Sequence, residues 1–188
     1  MSKDAGLSDS EADDYQLSSR EWDKGDYNNQ KEEPIMPILA GISAPDFILI
    51  DDSGATRRLS DYRGESVVLY FYPKDDTPGC TTEACNFRDD YSGFVTAGVT
   101  ILGVSPDSPK SHARFKQKFQ LPFPLLADEQ HIVCEAYGVW GQKKFMGREY
   151  MGVLRTTFLI SPDGKIKRVF ADVKPSEHSA EVLTALKE

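Results

Sequence analysis

Two cysteines, Cys80 and Cys85, follow a turn rich in proline, aspartate and threonine in the stretch Pro73-Lys-Asp-Asp-Thr77-Pro-Gly-Cys80-Thr-Thr-Glu-Ala-Cys85. The flanking residues say where these thiols stand. Upstream, Val67-Val-Leu-Tyr-Phe-Tyr72 is apolar, β-branched and aromatic, the composition of a buried strand. Downstream, Ala84, Phe87, Tyr91, Phe94 and Val95 recur at helical spacing, so a helix starts close to Cys80. A thiol in a first helical turn lies beside unpaired backbone N–H groups and the positive end of the helix dipole. Those surroundings favour the thiolate, the nucleophilic form of cysteine. The chemistry on offer is thiol redox chemistry.

A cysteine at a helix start also serves, in many proteins, as a small buried hydrophobe. Three features favour chemistry here. The Pro73–Gly79 loop is short and rigid and carries a hydroxyl, Thr77, able to reach back to the sulfur. The thiol emerges at the carboxyl end of a buried strand, where open α/β sheets put their sites. The second thiol lies five positions on. On an ideal helix that spacing separates the two Cα atoms by about 8.6 Å. A disulfide spans roughly 4.4–6.8 Å. Cys80 and Cys85 can therefore join only if residues 80 to about 86 unwind, and Thr81 and Thr82 make that turn a modest helix former.

The elements that must hold these residues alternate along the chain. Strands are predicted at 47–50, 66–72, 99–104, 154–160 and 166–170, with a short one at 125–126. Helices are predicted over 80–95, after the Ser108-Pro109 start signal, over 128–137 and from Pro175 to the end, with a short helical turn at 59–64. Ser161-Pro-Asp-Gly164 marks a hairpin between the last two strands. Strands alternating with helices and closed by a hairpin imply an α/β domain of thioredoxin-like fold, a central mixed β-sheet flanked by helices.

The chain has 188 residues and a formal charge of −8, and residues 1–33 hold ten acidic against four basic side chains, a net of −6. The acidity belongs to that segment, read as a disordered N-terminal tail in which Tyr15, Trp22 and Tyr27 are the aromatic exceptions. The domain proper is expected over 34–188. This distribution argues against nucleic acid, and no apolar run approaches the length of a membrane span. The tail has no apolar core of a secretory signal and is too acidic for an ordinary transit peptide, so a cytoplasmic address is expected. Three cysteines, without a Cys-x-x-Cys pair, and three scattered histidines (His112, His131, His178) argue against a disulfide scaffold and a zinc site. In a reducing compartment a close cysteine pair points to catalysis.

At these residues the chain resembles the peroxiredoxins. Pro73, Thr77 and Cys80 match the Pro-x-x-x-Thr-x-x-Cys pattern of that family, and the run from Tyr70 to Cys85 is similar to its bacterioferritin-comigratory, or PrxQ, branch. Ala44-Pro-Asp-Phe47, Gly138-Val-Trp-Gly141, Phe145-Met-Gly147 and Arg155-Thr-Thr-Phe-Leu-Ile160 extend the likeness over about residues 38–188. The resemblance implies a thiol-dependent peroxidase acting on hydrogen peroxide and organic hydroperoxides, in which Cys80 is peroxidatic and Cys85 resolves it as an intramolecular disulfide. It implies that Arg155, by itself readable as an edge-strand surface charge, faces the thiolate, and that Pro73 shapes the pocket. It implies recycling by thioredoxin or a glutaredoxin, no metal or organic cofactor, and a monomer. Cys134 reads as a buried structural thiol, with a second resolving role as the alternative. Trp140, Phe145 and Met146 read either as apolar cover for the pocket mouth or as ordinary core. Two other readings compete: a disulfide oxidoreductase, which would need Cys-x-x-Cys, and a non-catalytic interaction module working through the acidic tail.

Overall fold

Val67-Val-Leu-Tyr-Phe71 has no polar residue, a pattern that a strand satisfies only when both of its faces are covered. The computed structural model, which describes residues 38–145, 147–171 and 173–187, places this run at the centre of the sheet. The acidic tail over 1–33, with Tyr15, Trp22 and Tyr27, lies outside the described residues, as do residues 34–37 of the domain. The elements run β1 (Ile48–Asp51), β2 (Thr56–Arg58), a 3-10 turn (Leu59–Tyr62), β3 (Ser66–Phe71), α1 (Pro78–Asp89), α2 (Tyr91–Thr96), β4 (Val99–Ser105) and α3 (Pro109–Phe119). Then follow β5 (Leu125–Ala127), α4 (Ile132–Ala136), β6 (Trp140–Phe145), β7 (Arg148–Val153), β8 (Thr156–Ile160), β9 (Ile166–Phe170) and α5 (His178–Ala185).

Seven strands form one mixed sheet in the order β2-β1-β5-β4-β3-β8-β9, the architecture expected of a thioredoxin-like domain. β3 pairs parallel with β4 and antiparallel with β8. Its side chains alternate between two cores. Val67, Leu69 and Phe71 join Val133, Cys134 and Tyr137 on one face. Val68, Tyr70 and Tyr72 join Cys80, Ala84, Phe87, Phe94, Phe115 and Val182 on the other. The period of two in a strand thus decides which helices each side chain meets. No helix among the described residues is long and apolar enough to cross a membrane.

Several boundaries differ from the sequence expectation. The helix predicted over 80–95 is two helices, broken at Asp90, whose carboxylate accepts from the Ser179 hydroxyl at 2.7 Å. The helix predicted over 128–137 begins only at Ile132. Asp128 instead stands apart and accepts from the amides of Val133 (3.3 Å) and Cys134 (2.7 Å), capping the helix from outside. The last strand pair starts at Thr156, leaving Leu154 and Arg155 in a corner. Residues 140–153, with no strand predicted, form the β6–β7 hairpin, paired from Trp140↔Val153 to Phe145↔Arg148 and turned at Gly147 (φ +80°).

Candidate active site

Thr77 is the extended N-cap of α1 and Pro78 fills its first position, where a missing N–H costs nothing. The first bond inside the helix runs from the Thr81 amide to the Thr77 carbonyl at 2.8 Å. Cys80 therefore sits in the first turn, among amides with no carbonyl behind them in the helix. The residue is only 2% exposed, at the end of the loop that leaves β3. The Thr77 hydroxyl donates to the Lys74 carbonyl at 3.0 Å, which differs from the expectation that it reaches the sulfur. Its single proton is used to close the loop, and its lone pairs remain as acceptors. Pro73 is the first loop residue after Tyr72, and it is half-buried.

The donor that does reach the sulfur comes from 75 residues away: Arg155 Nη2 lies 3.1 Å from Cys80 Sγ. Arg155 stands at the corner between β7 and β8, where the Leu154 amide donates to Val139 O at 2.7 Å and Thr156 Oγ1 donates to Leu154 O at 3.1 Å. One backbone bond and one bond from the Thr156 side chain, both to Leu154, hold the corner that aims the guanidinium. Its other arm, Nη1, pairs with Glu83 Oε2. Glu83 lies on the inner face of α1, three residues after Cys80, and its side chain is 1% exposed. Burial pushes the Glu83 carboxyl up to about 7, against the pull of the Arg155 guanidinium in the other direction. Burial also works against the Arg155 charge, but Glu83 and the Cys80 sulfur together raise its pKa above the ordinary value. Glu83 Oε1 has no hydrogen-bond partner among the described residues.

A buried thiol at a helix start, met by a guanidinium held in an ion pair, is an arrangement that can support nucleophilic attack on an electron-poor atom. The model of the family described as AhpC/TSA matches residues 40–169. The chain is a peroxiredoxin of that family. The peroxiredoxin Bcp of Bacillus subtilis is 52% identical over 153 residues, covering 81% of this chain and 98% of that protein. The peroxiredoxin Bcp of Escherichia coli K12 is 51% identical over 152 residues, covering 81% and 97%. Among solved structures, a cysteine-to-serine mutant of Xylella fastidiosa PrxQ superposes with a TM-score of 0.77 at 37% identity, covering 81% of this chain and 97% of that one. The Xanthomonas campestris Bacterioferritin Comigratory Protein, solved as trapped intermediate/ligand complexes bearing on alkyl peroxide reduction, gives 0.74 at 40% identity over 79% of this chain and 98% of that one. This peroxiredoxin is thus a thiol-dependent peroxidase of the Bcp/PrxQ branch, on a thioredoxin-like fold.

The peroxiredoxin loop before Cys80 is anchored by a buried polar cluster that sequence reading did not single out. Asp75 Oδ1 accepts from the Tyr72 hydroxyl at 2.7 Å, and Asp75 Oδ2 meets His112 Nδ1 of α3 at 2.9 Å. The Asp75 amide donates to Asp107 Oδ2 at 2.8 Å. Asp76, at φ +53°, is held by Lys118 of α3 at 2.6 Å. Aspartate is one of the few non-glycine residues that tolerate the left-handed region. No local periodicity signals the cluster, because Asp75 and His112 meet only through the fold. Glu83 had a faint signal: it shares the helical stripe of Cys80, Ala84 and Phe87, an unusual place for a carboxylate.

The other sulfur atoms divide clearly. Cys85 is half-buried on α1, and all three cysteines are free thiols. Cys134 is fully buried in the core on the opposite sheet face from Cys80. Burial, reinforced by Asp128, pushes its thiol far above the ordinary value. Trp140 stacks on His131 with ring centroids 3.7 Å apart and packs against the core that holds Cys134, away from the Cys80 side. Met146 and the Phe145 side chain lie outside the described residues. A groove of about 670 Å³ between β1 and α4, lined by Phe47, Ile48, Ile132 and Tyr137, is also distant from the thiol core around Cys80.

Proposed function

We propose that Cys80 is the peroxidatic cysteine, Cys85 the resolving one, and that Arg155, Thr77 and Pro73 complete the site. The observation that carries this reading is the 3.1 Å contact from Arg155 to the Cys80 sulfur in the first turn of α1. The Cys80 thiolate attacks the terminal oxygen of a hydroperoxide; an S–O bond forms and the O–O bond breaks. The leaving oxygen departs as water or an alcohol after taking up a proton, and Cys80 is left as sulfenic acid. Charge in the transition state spreads over sulfur and both oxygens, where the Arg155 fork and the first-turn amides act as preorganised donors. The Thr77 oxygen, whose own proton goes to Lys74, is free to accept the hydroperoxide O–H. Pro73 walls the pocket from water.

The Cys85 thiol then attacks the sulfenic sulfur; an S–S bond forms, the S–O bond breaks and water leaves. Both cysteines belong to one helix, so this step needs the start of α1 to unwind. Thioredoxin or a glutaredoxin returns the pair to thiols in a reducing, cytoplasmic setting, and the chain acts as a monomer through its domain over 34–188, behind the acidic tail. Hydrogen peroxide and organic hydroperoxides are the substrates.

Peroxide consumption coupled to thioredoxin turnover tests the assignment. Cys80→Ser will lose all turnover, whereas Cys85→Ser will complete a single reduction and stall in recycling. Continued turnover by Cys80→Ser rejects the reading, and absence of turnover in the wild type favours the interaction-module alternative.

A further inference from the structure

One cation near Cys80 has no place in the mechanism above. Lys143 lies on β6, opposite Tyr150 of β7, on the same hairpin face as the glycine pair Gly141 and Gly152. Those glycines, next to the open end of the hairpin, place no side chain on that face. A Cβ on Gly152 would stand 3.3 Å from Lys143 Cδ, and one on Gly141 would stand 3.0 Å from Leu154 Cδ1. The lysine stem and the leucine fill the room that the missing side chains leave. The half-buried ammonium bends back across the hairpin and donates to the Val153 carbonyl at 3.0 Å. Val153 is two residues before Arg155, and among the described residues no carboxylate is within ion-pair reach of Lys143.

We propose that Lys143 is a positioning residue of the peroxidatic site, holding the Val153 end of β7 so that Arg155 points at Cys80 and adding a second positive charge to the field at the sulfur. The corner then has three restraints rather than two: Lys143 on Val153 O, Val139 O on the Leu154 amide, and Thr156 on Leu154 O. The charges communicate as this requires. Burial lowers the Lys143 pKa, the Arg155 guanidinium lowers it further, and the Cys80 sulfur draws it back up. The groups that interact with the charge on Cys80 are Tyr70 from β3, Arg155 from the corner and Lys143 from β6, and Glu83 from α1 bears on it through its pair with Arg155. Half-burial is what gives a lysine weight there, since a solvated one would be screened.

The inference rests on Cys80 being the attacking thiol, and its test separates the two. Lys143→Met keeps the stem over Gly152 and removes charge and donor; Lys143→Arg restores both, and Lys143→Gln restores a donor alone. In the full chain, the Met variant should reduce hydrogen peroxide about tenfold more slowly, the scale of one partly buried charge. The pH profile of Cys80 alkylation by iodoacetamide should also move to higher pH in the Met and Gln variants and return in Lys143→Arg. Wild-type profiles in both Met and Gln variants overturn the role even if peroxide reduction slows, because a merely structural loss would leave the profile in place. If Met unfolds the domain, the Gln variant alone decides. Peroxide turnover by Cys80→Ser would instead remove the underlying reading.

Discussion

Arg155 has two partners, and the competition between them sets the chemistry of the site. One arm meets the Cys80 sulfur and the other meets Glu83, whose side chain is 1% exposed. Breaking a buried ion pair by removing one partner typically costs about 3–5 kcal/mol, because the survivor stays buried and unpaired. Glu83→Ala should therefore damage the fold as well as the site, and Glu83→Gln is the informative change. Burial raises the Glu83 carboxyl from 4.5 to about 7. Between those limits the unfolded chain has released the Glu83 proton and the folded chain has kept it. Unfolding in this window releases a proton, so the residue's contribution to stability falls as pH rises and levels off above about 7. Denaturant unfolding at several pH values should show Glu83→Gln gaining on the wild type across this window, by up to about 3 kcal/mol. A constant difference from pH 4.5 to 7 would mean that Glu83 is ionised throughout.

At the scale of elements, α1 has a firm anchor before it and a fragile start. Upstream, Tyr72, Asp75 and His112 tie the loop to α3 through bonds of 2.7 and 2.9 Å in the interior. Downstream, Asn86 Nδ2 donates to the Pro175 carbonyl at 2.9 Å, fastening the middle of the helix to the approach to α5. Between them the first turns are held by the Thr81–Thr77 backbone bond, the burial of Cys80 and Ala84, the Arg155 contact, the Glu83 pair and a Thr82 bond to Pro78 O. On the proposed reading, oxidation of Cys80 to sulfenic acid would remove the thiolate from Arg155 and loosen the start of α1. Amide exchange after stoichiometric peroxide should accelerate across 80–86 while residues 70–75 stay protected. Unchanged exchange over 80–86 in the disulfide form would contradict unwinding as the route from Cys80 to Cys85.

Across the whole molecule, the sheet acts as a partition. Val67, Leu69 and Phe71 face the core of Cys134, and Val68, Tyr70 and Tyr72 face the core of Cys80. A bridge from Cys80 to Cys134 would have to cross a sheet whose strands are about 4.8 Å apart and hydrogen-bonded throughout. Cys85 needs only the local unwinding of one helix. Peptide mapping of the oxidised protein should therefore recover an 80–85 linkage, with Cys134 alkylated only after denaturation. Recovery of an 80–134 linkage would require the two cores to open together and would reassign the resolving thiol.

Local order was legible in the residues themselves. Apolar continuity in 67–71, the proline and threonine before Cys80, and the helical stripe after it follow from short-range sterics and side-chain period, so the strand, turn and helix could be read off. The geometric obstacle to joining Cys80 and Cys85 likewise needed only helix geometry, whereas their pairing was what the family resemblance implied. Long-range meetings were not legible. Arg155 had a likeness to place it and Glu83 only its place on an apolar helical stripe, but His112 with Asp75, and Lys143, had nothing in their neighbourhoods to mark them. The β6–β7 hairpin was hidden because Gly141-Gln-Lys-Lys144 lacks the polar–apolar alternation that a half-buried strand carries, and Met146-Gly147 lacks the usual asparagine or aspartate. Sequence alone determined which thiol begins a helix at the end of a buried strand, because helix capping and the strand before it are local. Tertiary structure decided what surrounds that thiol, because a guanidinium 75 residues away, and the groups that aim it, reach the sulfur only when the sheet is assembled.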